Sequence, residues 1–152
     1  MAMTQAQRAA LAQIFLGQYK AGGRGELCPE RHVPLYNCWG LCIAVGALFG
    51  HSIPDVASPA LPTARAVNAL YERFNAVFMP LAAPQAGCLV AFRTHPRMVK
   101  AVNHFGIMLD ALNFVHIQRD TAVHVLRVDV QPYSRFFAGY WWAKGGGNAA
   151  GL

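Results

Sequence analysis

Apolar positions near the start of the chain recur at helical spacing. Leu11, Ile14 and Phe15 share one face, and Thr4 followed by Gln7 has the form of a capping box, so a first helix is expected to stop near Gly17. From Lys20 to Leu35 this pattern gives way to Gly, Pro and charge, which predicts a loop. The densest apolar run spans residues 38–49. Asn37 suits its N-cap and Gly50 its C′ position. A helix apolar on every face must be surrounded by the rest of the domain. Pro54, Pro59 and Pro62 lead to a second expected helix capped at Thr63. Val67, Leu70, Tyr71, Phe74 and Phe78 lie on one of its faces, and Pro80 and Pro84 close it. Four β-rich runs follow, over residues 88–93, 104–109, 114–117 and 122–130, and short turns such as 110–113 favour antiparallel hairpins. The aromatic segment 136–142 is expected to pack on this sheet. Helices precede strands, so the predicted class is α+β.

The 152 residues suit one domain, read as residues 1–142 with a Gly-rich tail over 143–152. Hydrophobic residues make up 55% and charged ones 13%, a composition that excludes general disorder. No stretch is long enough for a membrane-spanning helix, so no membrane insertion is expected. Gln13, Gln18 and Lys20 interrupt the N-terminal apolar run, and no secretion signal is read there. Synthesis and folding in the cytoplasm are expected, with Cys28, Cys38, Cys42 and Cys88 as thiols. The net charge of +6 comes from basic residues scattered singly, so no nucleic-acid partner is expected.

Cys38 stands apart from the other thiols because it falls in the first turn of the apolar helix. Unpaired N–H groups and the positive end of the helix dipole favour a thiolate there, and the same groups can hold an oxyanion. Cys42, one turn on, reads as a small hydrophobe. A thiolate nucleophile needs a base, and His104 opens a strand with His116 twelve residues later. A hairpin centred near Ala111 would place the two histidines diagonally on one sheet face, roughly 7–8 Å apart at Cα. A one-residue slip would separate them. From the residues alone, catalysis and simple packing both stay open. A zinc site from Cys28, His32, Cys38 and Cys42 ranks below either, since no Cys-x-x-Cys knuckle is present. His32, His51, His95 and His124 are assigned no role.

Several motifs occur in the order found in one family. Gly17-Gln18-Tyr19-Lys20-Ala21-Gly22-Gly23 resembles a glycine–tyrosine–double-glycine entry motif. Tyr36-Asn37-Cys38-Trp39-Gly40-Leu41 resembles a nucleophile motif, and Gly50 with Ile53-Pro54 the segment closing its helix. Gly87-Cys88-Leu89-Val90-Ala91-Phe92-Arg93 resembles the first barrel strand. Asn103-His104-Phe105-Gly106-Ile107-Met108-Leu109 and Asn113-Phe114-Val115-His116 resemble the strands of the base and the third residue. Together they resemble the NlpC family of cell-wall cysteine peptidases, and within it the phage-tail-associated members. The resemblance implies a papain-like fold with Cys38 as nucleophile, His104 as base and acid, and His116 orienting His104. Tyr19, Asn37 and Trp39 would line the site near the oxyanion. It implies peptidoglycan stem peptides as substrate, phage tail proteins as further partners, action at the cell wall, and no cofactor or metal. Asn37 and Cys88 depart from the family's usual Asp at both positions. A catalytically silent tail assembly protein, using the aromatic cluster of residues 136–142 as an interface, is the rival reading.

Overall fold

A computed structural model describes residues 3–55, 73–94 and 102–145. Helix α1 (Gln5–Phe15) starts as its capping box requires, with Thr4 Oγ1 accepting from the Gln7 N–H and Gln7 Oε1 from the Thr4 N–H. Helix α2 (Cys38–Leu48) is capped by Asn37 and ends at Gly50, whose φ of 75° is the left-handed conformation that glycine adopts without strain. The side chain of Gln7 crosses from α1 to donate 2.6 Å to the Leu48 carbonyl, satisfying one open end of α2.

The segment read as a loop holds two short strands. β1 (Gln18–Tyr19), β2 (Arg24–Leu27) and β3 (Pro34–Tyr36) form a small sheet in the order β1-β3-β2. Strands of two to four residues are too short to show a period of two. Tyr36 at the end of β3 pairs with Tyr19 and Arg24, and the chain turns directly from it into Asn37 and α2.

The second sheet has six strands in the order β4-β9-β5-β6-β7-β8, antiparallel throughout. They are β4 (Phe78–Leu81), β5 (Leu89–Phe92), β6 (His104–Met108), β7 (Asn113–His116), β8 (His124–Arg127) and β9 (Phe137–Ala143). Most of the proposed second helix lies outside the described residues. Residues 73–77 are helical, but Phe78 and Pro80 belong to strand β4. Pairing with β9 holds them extended, and Pro80 is tolerated because β4 is an edge strand. The aromatic segment likewise does more than pack on the sheet: as β9 it is inserted between β4 and β5. The strand continues through Ala143, and Lys144 N–H still bonds the Val77 carbonyl.

One face of this sheet, through Leu89, Ala91, Phe105, Ile107 and Val115, packs on α2 and α1. The other carries Val90, Phe92, Phe114 and Trp142 beneath a helical turn, Tyr133–Phe136. Helix α2 is therefore enclosed, as its uniform apolarity requires. It lies tight against the small sheet at Gly40, where an added Cβ would run into the Gly23 carbonyl oxygen. Gly40→Ala is expected to push α2 off the small sheet and lower stability by roughly 2–3 kcal/mol. A urea melt superimposable on that of the wild type would refute this contact.

His51 fastens three elements together. The Ala143 N–H donates to its Nε2 at 2.9 Å, so Nδ1 carries the proton and donates to the Gly87 carbonyl at 2.7 Å. Its ring stacks on Trp142 at 3.9 Å. Burial lowers its pKa and keeps the ring neutral.

Candidate active site

Cys38 is the first residue of α2 and is partly exposed. The backbone N–H groups of Phe105, Trp39 and Cys38 itself face its sulfur, and the Arg24 guanidinium adds a favourable field. Burial outweighs these groups and pushes the thiol up. The resting Cys38 side chain is thus a neutral thiol.

Asn37 explains how the helix starts without the expected aspartate. Its Oδ1 accepts from the Gly40 N–H at 2.8 Å and from Arg24 Nη1 at 2.6 Å. The rest of the Arg24 fork grips Asp55, with Nε–Oδ2 at 2.9 Å and Nη2–Oδ1 at 3.0 Å. Asp55 therefore matches the Arg24 charge, and its carboxyl is held low by that hydrogen bond. Asn37 is buried as a cap. Trp39 is 1% exposed and fills the core edge-on to Phe105 and Phe78, its Nε1 donating to the Pro54 carbonyl. Its backbone N–H faces the Cys38 sulfur. Tyr19 lies in β1, opposite the residue two before Cys38.

His104 is the first residue of β6 and the chain neighbour of Phe105. Asn103 secures the entry to the strand, its Oδ1 accepting from the Thr94 N–H and hydroxyl and its own N–H reaching the Phe92 carbonyl. The β6–β7 pairs Ile107–Val115 and Met108–Phe114 centre the hairpin on Ala111. That register puts His104 and His116 on one face, where His104 Nε2 lies 2.7 Å from His116 Nδ1. Tyr133 packs on both rings. Burial lowers the His104 pKa to about 4, with the charge of His124 adding to it. Burial, then His104 and His124, lower that of His116 to about 3.

A third histidine extends this pair. His124 sits directly opposite His116 across β7–β8, with Nε2–Nε2 at 2.8 Å, and its Nδ1 lies 2.7 Å from the Ala122 carbonyl. The eight-residue step from His116, folded about the turn at 118–121, is the sequence signal that could have found it. Cys88, in place of the family's Asp, is a buried apolar thiol, pushed up to about 11 by burial. His32 and Cys28 belong to a turn of the small sheet, and His95 lies outside the described residues. Among the described residues no group of three or more His, Cys, Asp or Glu is placed to hold a metal ion. Nor is any described helix long and apolar enough to cross a membrane.

The family model for NlpC/P60 matches residues 17–142, which contain all of these side chains. The chain belongs to the NlpC/P60 family. Among solved structures it is similar to a protein of Staphylococcus aureus subsp. aureus Mu50, described as similar to lipoprotein and of the NLP/P60 family. The identity is 17% and the TM-score 0.51, over 93% of this chain and 43% of that one. It is also similar to NlpC1 from Trichomonas vaginalis, at 18% identity and a TM-score of 0.50, over 93% of this chain and 46% of that one. The chain thus spans less than half the length of either structure, and at these identities the likeness concerns the fold. No curated protein matches. NlpC/P60 proteins are typically cell-wall cysteine peptidases, and the mixed α+β fold with its large antiparallel sheet is that of the family.

Proposed function

We propose that this NlpC/P60 domain hydrolyses a peptide bond in peptidoglycan stem peptides, with Cys38 as nucleophile and His104 as base. The observation that carries the reading is the meeting of two elements. Cys38 stands at the N-terminus of α2 with the Phe105 N–H on its sulfur, and His104, next to Phe105, is bonded through Nε2 to His116. His104 Nδ1 takes the thiol proton as sulfur adds to the scissile carbonyl, and N–H groups at the start of α2 receive the oxyanion. His104 returns the proton to the leaving amine. Water, deprotonated by the same nitrogen, then releases the acyl group and regenerates the thiol. His116 holds the His104 ring in place throughout.

The resemblance around Cys38-Trp39 supports a phage-tail setting, with delivery of the domain to the cell wall and contact with other tail proteins. The test is incubation of the purified protein with soluble muropeptides and mass spectrometry of the products. Paired fragments whose masses sum to the substrate plus one water are expected, and prior treatment with iodoacetamide should prevent them. If every muropeptide survives and Cys38 also resists iodoacetamide at high pH, the silent tail-protein reading replaces this one.

A further inference from the structure

We propose that His124 is a positioning residue that sets the tautomers of the whole histidine row and receives, at the protein surface, the charge generated when Cys38 is deprotonated. This rests on the catalytic roles proposed above for Cys38 and His104.

A backbone carbonyl can only accept a hydrogen bond. The Ala122 oxygen lies 2.7 Å from His124 Nδ1, so that nitrogen carries the proton. In neutral His124, Nε2 is then a lone pair, and the bond of 2.8 Å to His116 requires His116 Nε2 to donate. His116 Nδ1 is left to accept, so the bond of 2.7 Å from His104 requires His104 Nε2 to donate. His104 Nδ1 is left bare, in the form a base must have. One backbone oxygen, acting through three rings, thus prepares the nitrogen that takes the thiol proton.

The same row can move that proton without charging a buried ring. When the S–H bond breaks, its electron pair stays on sulfur and the proton goes to His104 Nδ1. The Nε2 proton of His104 passes to His116 Nδ1, and the Nε2 proton of His116 passes to His124 Nε2. Four N–H bonds then exist where there were three, and the one gained balances the S–H bond lost. The positive charge rests on His124, which is partly exposed on edge strand β8, while His104 and His116 stay neutral. Both of those rings are buried, at 6% and 0% exposure, and burial disfavours their charged forms. In this second arrangement His104 Nδ1–H is the acid that the leaving amine requires, and the row runs backwards as it donates.

A solvent proton on His124 Nε2 has the opposite consequence. It drives the row into the second arrangement while the thiol is still protonated, so His104 can no longer act as a base. Among the described residues, His116 on β7 packs against His124 and His104 feels its charge, Tyr133 packs on His116, and the Gln18–Ala122 bridge brings Gln18, bonded to Arg31, opposite the residue two before His124.

Two measurements on the protein without substrate test this, so inertness towards muropeptides would not affect them. Nitrogen-15 NMR of the wild-type rings at mildly alkaline pH should show Nδ1–H in His124 and Nε2–H in both His116 and His104. His104 found as the Nδ1–H form would overturn the proposal. Removing the row's terminus with His124→Ala should slow iodoacetamide alkylation of Cys38 near neutral pH. The loss should be on the order of 10²-fold, within what a positioned base contributes, and the acid limb of the rate profile should move. An unchanged rate and profile in a variant with a wild-type melting curve would also sink it.

Discussion

Cys38→Ala is expected to reduce muropeptide cleavage by roughly 10⁴–10⁶-fold, His104→Ala by a similar factor, and the double variant by no more than either alone. In the proposed mechanism, nucleophile and base act in a single step. The thiol is held neutral by burial, so without His104 nothing removes its proton, and without Cys38 the base has no proton to take. Non-additivity is therefore the informative result. Losses that multiply would mean that the two residues serve separate steps. Retention of cleavage by Cys38→Ala would remove the nucleophile from the mechanism. Cys38→Ala takes away one partly exposed sulfur atom and should melt close to wild type. His104→Ala opens space against Phe92 and Tyr133 and should melt lower.

Acid should destabilise the fold at a pH where most domains still hold. His51, His104 and His116 are buried and held below the ordinary imidazole range of about 6.5, His104 at about 4 and His116 at about 3. The unfolded chain binds protons on these rings first. Their contribution is complete above about pH 6.5 and is lost as the pH falls towards the folded values. For His104 alone the gap corresponds to roughly 3 kcal/mol by pH 4. Asp55 and Asp110 are held below the usual carboxylate value by their hydrogen bonds and stay ionised in this window, so the histidines dominate it. Urea melts across this range should show a midpoint falling steadily with pH. A flat midpoint between about pH 6.5 and 4.5 would contradict the neutral assignment of the buried rings.

Much of the site is legible in the residues themselves. The cap at Asn37, the uniform apolarity of α2 and the glycine at its end locate Cys38 on a helix terminus. The Asp110 to Asn113 turn centres the next hairpin on Ala111 and joins His104 to His116. His124 escapes because a histidine on a half-exposed edge strand looks like surface, and only the register of β7 on β8 shows its partner. Pairing between distant segments is likewise what hides β2, β3 and β9. Arg24, Tyr36 and Gly139 carry no alternation that a strand rule detects, yet each has a partner strand. Phe78 continues the helical spacing of Phe74, and only the presence of β9 draws it into a sheet.

The position of β9 also governs the order in which the fold can be completed. Strands β5 to β8 form a meander of neighbours joined by short or moderate connections, able to assemble as soon as they leave the ribosome. Strand β4 emerges before all of them, yet its one partner among the described residues is β9, which emerges after all of them. Until then the β5 edge is open, β4 has nothing to pair with, and His51 lacks both its stacking partner and one of its two hydrogen bonds. A nascent chain halted before residue 137 would therefore carry Cys38, His104, His116 and His124 and still lack the strand that locks the far end of α2 to the sheet. Such a chain exposes an unpaired apolar edge, the form of intermediate that chaperones retain and proteases remove.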